Sequence, residues 1–233
     1  HHCADVTACF EALAELPVIK ARMEQAAGRA LSAVDMARLA VIVFLHDCGK
    51  LHPGFQAKGW PEEWWKDFHQ GHVEAGAAIF MEGGLVRDGQ IARNLHIEHL
   101  RRWYSGDLLA AAFAHHGRPF KVEPGAAKRW DAVPQAGYEP LAASAELGAI
   151  MERWFGLAFT EGGEPLPDCP DFAHLFCGLV SLADWLGSTR SIFPFVAALD
   201  PSYMDKAREK AREAVRGIGL DTRHWQAAVA GRA

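Results

Sequence analysis

The chain lacks what several broad classes of protein need. Its 233 residues carry 24 Lys and Arg against 29 Asp and Glu, a formal charge of −5 at pH 7. That balance argues against a protein gripping duplex DNA by charge alone, which takes clustered cations, although a locally basic groove stays open. The five cysteines, Cys3, Cys9, Cys48, Cys169 and Cys177, are odd in number and form no CxxC pair. A disulfide framework and a thiolate zinc site are therefore not expected. No apolar run approaches the roughly 20 residues that span a bilayer, and no charged-then-apolar leader opens the sequence. The expectation is a cytoplasmic protein with no membrane partner. Strand-like alternation, internal repeats and low-complexity tracts are missing too, so the expected fold is all-α, a single domain over 1–233.

What the chain has in plenty is histidine, with 12 copies. The organising stretch is Val41-Ile-Val-Phe-Leu-His-Asp-Cys-Gly-Lys50, an apolar run ending in two adjacent metal-capable side chains. Adjacent helical residues point about 100° apart, so His46 and Asp47 would approach neighbouring ions from one ridge rather than clamp a single one. Gly49 fits a left-handed helix end, and the dipole there favours cations.

Apolar spacing predicts helices over Ala4–Leu16, 20–31, Val34–Cys48, His72 to about Gly83, Asp88–Trp103, Asp107–His116, Leu141–Phe159, Phe172–Leu186, Pro201–Arg216 and Thr222–Ala230. Two long connections, Leu51–Gly71 and Gly117–Pro140, are rich in Pro and Gly. Loops of that length are often functional.

His115 and His116, followed by Gly117, repeat the arrangement at His46 and Asp47. His72 stands four residues before Gly76 on one helix face, with His69 a competing ligand. Asp184 lies in an apolar helix and needs a cation or strong hydrogen bonds there, which either a metal or Arg190 could supply. Imidazole with carboxylate and no thiolate suits manganese, iron, cobalt, nickel or zinc better than magnesium. Two such divalent ions sharing Asp47 as a bridge would stabilise the attacking and leaving oxygens of a phosphoryl displacement.

Taken in order, His2-Cys-Ala-Asp5-Val6, His46-Asp-Cys-Gly-Lys50 with Phe55-Gln56, Gly71-His72 with Gly76, His115-His116-Gly117 and Ala183-Asp-Trp-Leu-Gly-Ser188 resemble the HD superfamily of metal-dependent phosphohydrolases. Within it they resemble the HD nuclease domain of the CRISPR-associated type I nuclease/helicase. The resemblance implies a helical bundle with long loops around a metal site. It implies one metal on His2, His46, Asp47 and Asp184, and a second on Asp47, His72, His115 and His116. It also implies a helicase domain or subunit and a guide-RNA surveillance complex as partners. No G-x-x-x-x-G-K-[ST] phosphate loop occurs here, so the chain reads as the nuclease part alone.

The leading expectation is cleavage of single-stranded DNA, with Asp47 and Lys50 as the catalytic residues and Lys50 neutralising charge on the scissile phosphate. Lys50 equally fits a plain helix-end cap. The rivals are an HD phosphohydrolase acting on nucleotides or cyclic nucleotides, which needs a closed cavity, and a metal-stabilised binding module without turnover. Trp60, Trp64 and Trp65 are candidates for base stacking, with packing under the loop the plainer reading. Arg101, Arg102, Arg118, Lys121, Lys128 and Arg129 are candidates for a phosphate-facing rim, with a plain solvated surface the usual reading of scattered basic residues. His96 and His99 read as a solvated face, and His1 and His2 fit either native residues or a tag remnant.

Overall fold

Ser32 and Asp35 start the helix on which the site depends: the Ser32 hydroxyl accepts the Asp35 N–H while the Asp35 carboxylate accepts the Ser32 N–H. This reciprocal cap satisfies two backbone donors that a helix start leaves without partners. In the computed structural model, which describes residues 1–67, 69–82, 84–118, 125–196 and 200–223, that helix is α3, Ala33–Phe44. Before it come α1 (His2–Ala14) and α2 (Pro17–Ala27), and after it α4 (Pro53–Gln56), α5 (His72–Met81), α6 (Gln90–Asn94) and α7 (Ile97–Leu100). Then follow α8 (Gly106–Phe113), α9 (Pro140–Trp154), α10 (Pro170–Gly187) and α11 (Tyr203–Gly217).

α1 is the central element, packed between α3, α10 and α11. Its buried side chains Val6, Phe10 and Leu13 meet Val41 and Phe44 of α3 and Phe172 and Phe176 of α10 in one continuous core. Phe10 and Phe176 pack edge to face with centroids 5.6 Å apart, a favourable aromatic geometry. Among the described residues there is no named strand, and no helix is long and apolar enough to cross a membrane. The all-α expectation holds.

Three local expectations change. The apolar helix closes at Phe44, so His46 and Asp47 sit in a tightened turn beyond it, leading into a 3₁₀ turn over Cys48–Leu51. Asp88–Trp103 is not one helix: His96 takes a left-handed backbone, φ 56°, between α6 and α7. The connection 51–71 is also less irregular than its Pro and Gly content suggests, since it contains α4 and two 3₁₀ turns. The last expected helix, from residue 224 onward, lies outside the described residues, as does Lys121.

Candidate metal centre

Five separate segments supply the clustered donors, and glycines let two pairs of their backbones touch. A Cβ on Gly187 would stand 2.8 Å from the Val6 backbone nitrogen. The end of α10 thus lies directly on the start of α1, one turn from Asp184 and one turn from His2. A Cβ on Gly49 would stand 1.8 Å from the His72 carbonyl oxygen and 2.3 Å from the Gly76 nitrogen. The turn carrying Asp47 is therefore pressed onto the first turn of α5, and Gly76 is small because Phe113 of α8 lies over it. Gly49 has no positive φ, unlike Gly117 at 71°. Close approach, not a left-handed backbone, is why residue 49 is glycine.

The outcome is one cluster built around Asp47. Its Oδ2 lies 3.0 Å from His2 Nε2 and 3.4 Å from His46 Nε2. Its Oδ1 lies 3.1 Å from His72 Nε2 and 3.7 Å from His115 Nε2. Asp184 Oδ1 completes the first group, 3.2 Å from His2 and 3.6 Å from His46. His116 completes the second, its Nε2 3.1 Å from that of His72. Two sets of donors thus emerge, His2, His46, Asp47 and Asp184 on one side and His72, His115 and His116 on the other, each compact enough to hold an ion. Lys50 Nζ contacts Asp47 Oδ2.

The donor chemistry fits a divalent metal. His46 Nδ1 lies 2.6 Å from the Val43 carbonyl and His115 Nδ1 lies 2.7 Å from the Ala112 carbonyl. A carbonyl only accepts, so each Nδ1 carries a proton and Nε2 is turned inward, the usual way a metal-binding imidazole is oriented. Both Nε2 atoms and Asp47 Oδ1 are buried without a hydrogen-bond partner. Orphaned polar atoms of this kind are costly unless something pairs with them.

Protonation follows the same geometry. Burial pushes the His115 pKa down to about 4, with the nearby His46 adding to the effect, and burial likewise lowers His72. Both rings stay neutral and free to donate at neutral pH. Burial acts the other way on Asp47, but His46 and His2 beside it hold the carboxylate well below its usual range. Asp184 is kept ionised by His2 and His46 against the same opposing burial. In return, despite its own burial, His46 is raised to about 10 by Asp47 and Asp184, and a metal binding at Nε2 would release that proton.

Other candidates fall outside the cluster. His69 is exposed, its Nδ1 3.4 Å from the Gly54 carbonyl, and Arg190 is exposed while His2 and His46 flank Asp184. His99 stacks on Phe159, and His96 meets the same ring edge-on. Trp60 packs on Tyr138 with centroids 5.5 Å apart. Of the expected basic rim, Arg129 is paired to Asp67 at 3.0 Å and Arg101 to Glu98 at 2.8 Å, while Arg102 lies 3.8 Å from Glu161. Arg118 and Lys128 are exposed.

Two exposed aromatics were not singled out in the sequence. Trp185, directly after Asp184, is 73% exposed, and Phe195, 80% exposed, meets the ring of His1 at 5.2 Å. The available signal was a tryptophan following a candidate ligand in an otherwise apolar helix. A cavity of about 660 Å³ lies elsewhere, between α1, α3 and α11, and none of the seven clustered residues lines it.

Residues 1–193 match the family model described as Cas3, HD domain. The CRISPR-associated endonuclease/helicase Cas3 of Thermus thermophilus is 31% identical over 217 residues, covering 85% of this chain and 22% of that protein. The chain thus spans about a fifth of that relative's length. The crystal structure of the Thermus thermophilus Cas3 HD domain in the presence of Ni2+ superposes with a TM-score of 0.57 at 26% identity, covering 94% of this chain and 83% of that one. A crystal structure of a CRISPR-associated protein gives a TM-score of 0.61 at 25% identity, covering 94% of this chain and 25% of the other. T. fusca Cas3 with AMPPNP shares the fold, with a TM-score of 0.51 at 18% identity, over 93% of this chain and 24% of that one.

Proposed function

The chain belongs to the Cas3 HD-domain family, and from that premise we propose that it is an endonuclease that hydrolyses single-stranded DNA at a pair of divalent metal ions. The observation that carries this reading is the division of Asp47: Oδ2 faces His2 and His46, and Oδ1 faces His72 and His115. A carboxylate so shared is suited to bridge two ions. His2, His46 and Asp184 would complete one coordination set, and His72, His115 and His116 the other. When bound, such ions supply Lewis-acid activation of the scissile phosphodiester and of an attacking water. Histidine and carboxylate donors favour manganese, iron, cobalt or nickel over magnesium.

The protein's own residues do the rest. Asp47, Asp184 and the inward Nε2 atoms would hold the ions and so set where the phosphodiester lies. Lys50, contacting Asp47, brings an ammonium to the edge of the cluster, where it would offset charge building on the non-bridging phosphate oxygens. His116 is exposed, so the second set opens to the surface instead of closing over a small substrate. Trp185, next to Asp184 in the chain, and Phe195, against His1, are exposed and offer faces on which unpaired bases stack. Both features favour a polymer over a nucleotide, which a closed pocket would read.

Unwinding and target delivery are assigned to partners, a helicase region and a guide-RNA surveillance complex. The Thermus relative, an endonuclease/helicase several times longer than this chain, supports the helicase assignment. The test is metal-loaded protein with circular single-stranded DNA and no ATP. Linearised and fragmented circles are expected. Intact circles alongside efficient hydrolysis of mononucleotides or cyclic nucleotides would move the reading to a small-molecule phosphohydrolase, and no turnover of either with both ions bound would move it to a binding module.

A further inference from the structure

Lys58 lies in the connection 51–71, outside every segment that carries the metal donors, yet it is held at the edge of the cluster. Its backbone has little freedom. His52 accepts the Gly54 N–H at Nδ1, 2.9 Å, which leaves Nε2 to donate to the Lys128 carbonyl at 3.0 Å. The Gln56 amide donates to the Lys50 carbonyl at 2.6 Å, and Ala57 is buried. The exposed Lys58 side chain then turns back over Phe55, its ammonium 4.3 Å from the ring centroid.

Phe55 joins Lys58 to the metal donors. Its ring meets His72 edge to face at 5.4 Å, and Lys50 Nζ stands 5.9 Å from the same centroid. Two ammoniums therefore flank one aromatic ring that touches a candidate ligand. Their commitments differ: Lys50 is bound to Asp47, whereas no carboxylate among the described residues lies within ion-pair distance of Lys58. Arg118, two residues past His116, is exposed as well. An ammonium resting on a ring face keeps its donors directed outward, ready for an anion.

We infer that Lys58, seated on Phe55, is a positioning residue that holds a backbone phosphate of single-stranded DNA next to the scissile one, on the His72–His116 side of the site. This rests on the nuclease reading above. The strand would then run across Phe55 as it leaves the second donor set, with Lys50 near the scissile phosphate and Lys58 near a neighbour.

The experiment compares wild type, Lys58→Ala, Lys58→Glu and Lys58→Arg, each loaded with manganese, on circular single-stranded DNA and on bis(p-nitrophenyl) phosphate, a diester with no flanking backbone. For Lys58→Ala, KM on DNA is expected to rise about three- to ten-fold with kcat nearly unchanged. The slope of log KM against log salt should shallow by about 0.7, the value for one lost phosphate contact on a single strand. Lys58→Glu should be worse, Lys58→Arg should restore KM, and hydrolysis of the small diester should fall far less than that of DNA. An unchanged KM and salt slope in Lys58→Ala, while wild type cleaves DNA, overturns the inference alone. Equal losses on both substrates overturn it too, since they would show a structural role. A wild type that cleaves the small diester but not DNA rejects the nuclease reading, and this assignment with it.

Discussion

Gly49 and His72 are in backbone contact: a single added Cβ at residue 49 would lie 1.8 Å from the His72 carbonyl oxygen. That contact sets Asp47 Oδ1 3.1 Å from His72 Nε2. Gly49→Ala must separate the two segments, because the clash is with backbone and cannot be relieved by a side-chain rotation. The expected result is a destabilisation of about 1–3 kcal/mol, in the range of overpacked sites, read by urea unfolding. It should be accompanied by weakened binding of the ion on the His72 side. A variant with normal stability and full metal content would contradict this account of the packing.

Asp47→Ala and His116→Ala should separate by metal content. Loss of Asp47 removes a donor from both sets and should deplete both ions and abolish turnover. Loss of His116 touches only the second set and should deplete one. Elemental analysis after gentle reconstitution reads the difference, and equal depletion in the two variants would argue against separate sets.

Trp185→Ala should leave the fold intact, since the side chain is largely exposed. If bases stack there, KM for single-stranded DNA should rise by the equivalent of about 1–3 kcal/mol. Unchanged KM with unchanged stability would remove Trp185 from the substrate path.

Asp35 gives a pH test of the scaffold. Burial opposes its ionisation, but Arg29 and Ser32 hydrogen bonds outweigh it and lower the carboxyl pKa to about 2. A folded pKa below the unfolded value stabilises the protein fully above about 4, and the benefit is lost as pH falls through about 2. Asp35→Asn should therefore cost about 1–2 kcal/mol at neutral pH and progressively less below about pH 4. A cost independent of pH would assign the effect to capping geometry alone.

The helical character, and the residues that the structure gathers into one cluster, were legible in the sequence because their signals are local. Apolar spacing marks α3 and α10, and adjacent donor pairs followed by glycine mark the two turns. What was hidden depends on distant partners. Gly49 looks like a helix terminator until α5 is seen against it. The break at His96 has no Pro or Gly to announce it, and a Cβ on Gly148 of α9 would stand 1.9 Å from the Asn94 carbonyl, a contact between elements far apart in sequence. Trp185 could not be told from a core tryptophan, because helical spacing does not reveal that its side chain is left largely exposed.

The central claim is that Asp47 joins two metal ions, and anomalous diffraction from crystals of the manganese- or nickel-loaded protein tests it most directly. The account predicts two peaks about 3.5–4 Å apart, with Asp47 Oδ2 on the ion held by His2, His46 and Asp184, and Oδ1 on the ion held by His72, His115 and His116. A single fully occupied peak at saturating metal, or two peaks with both Asp47 oxygens on one ion, would contradict it.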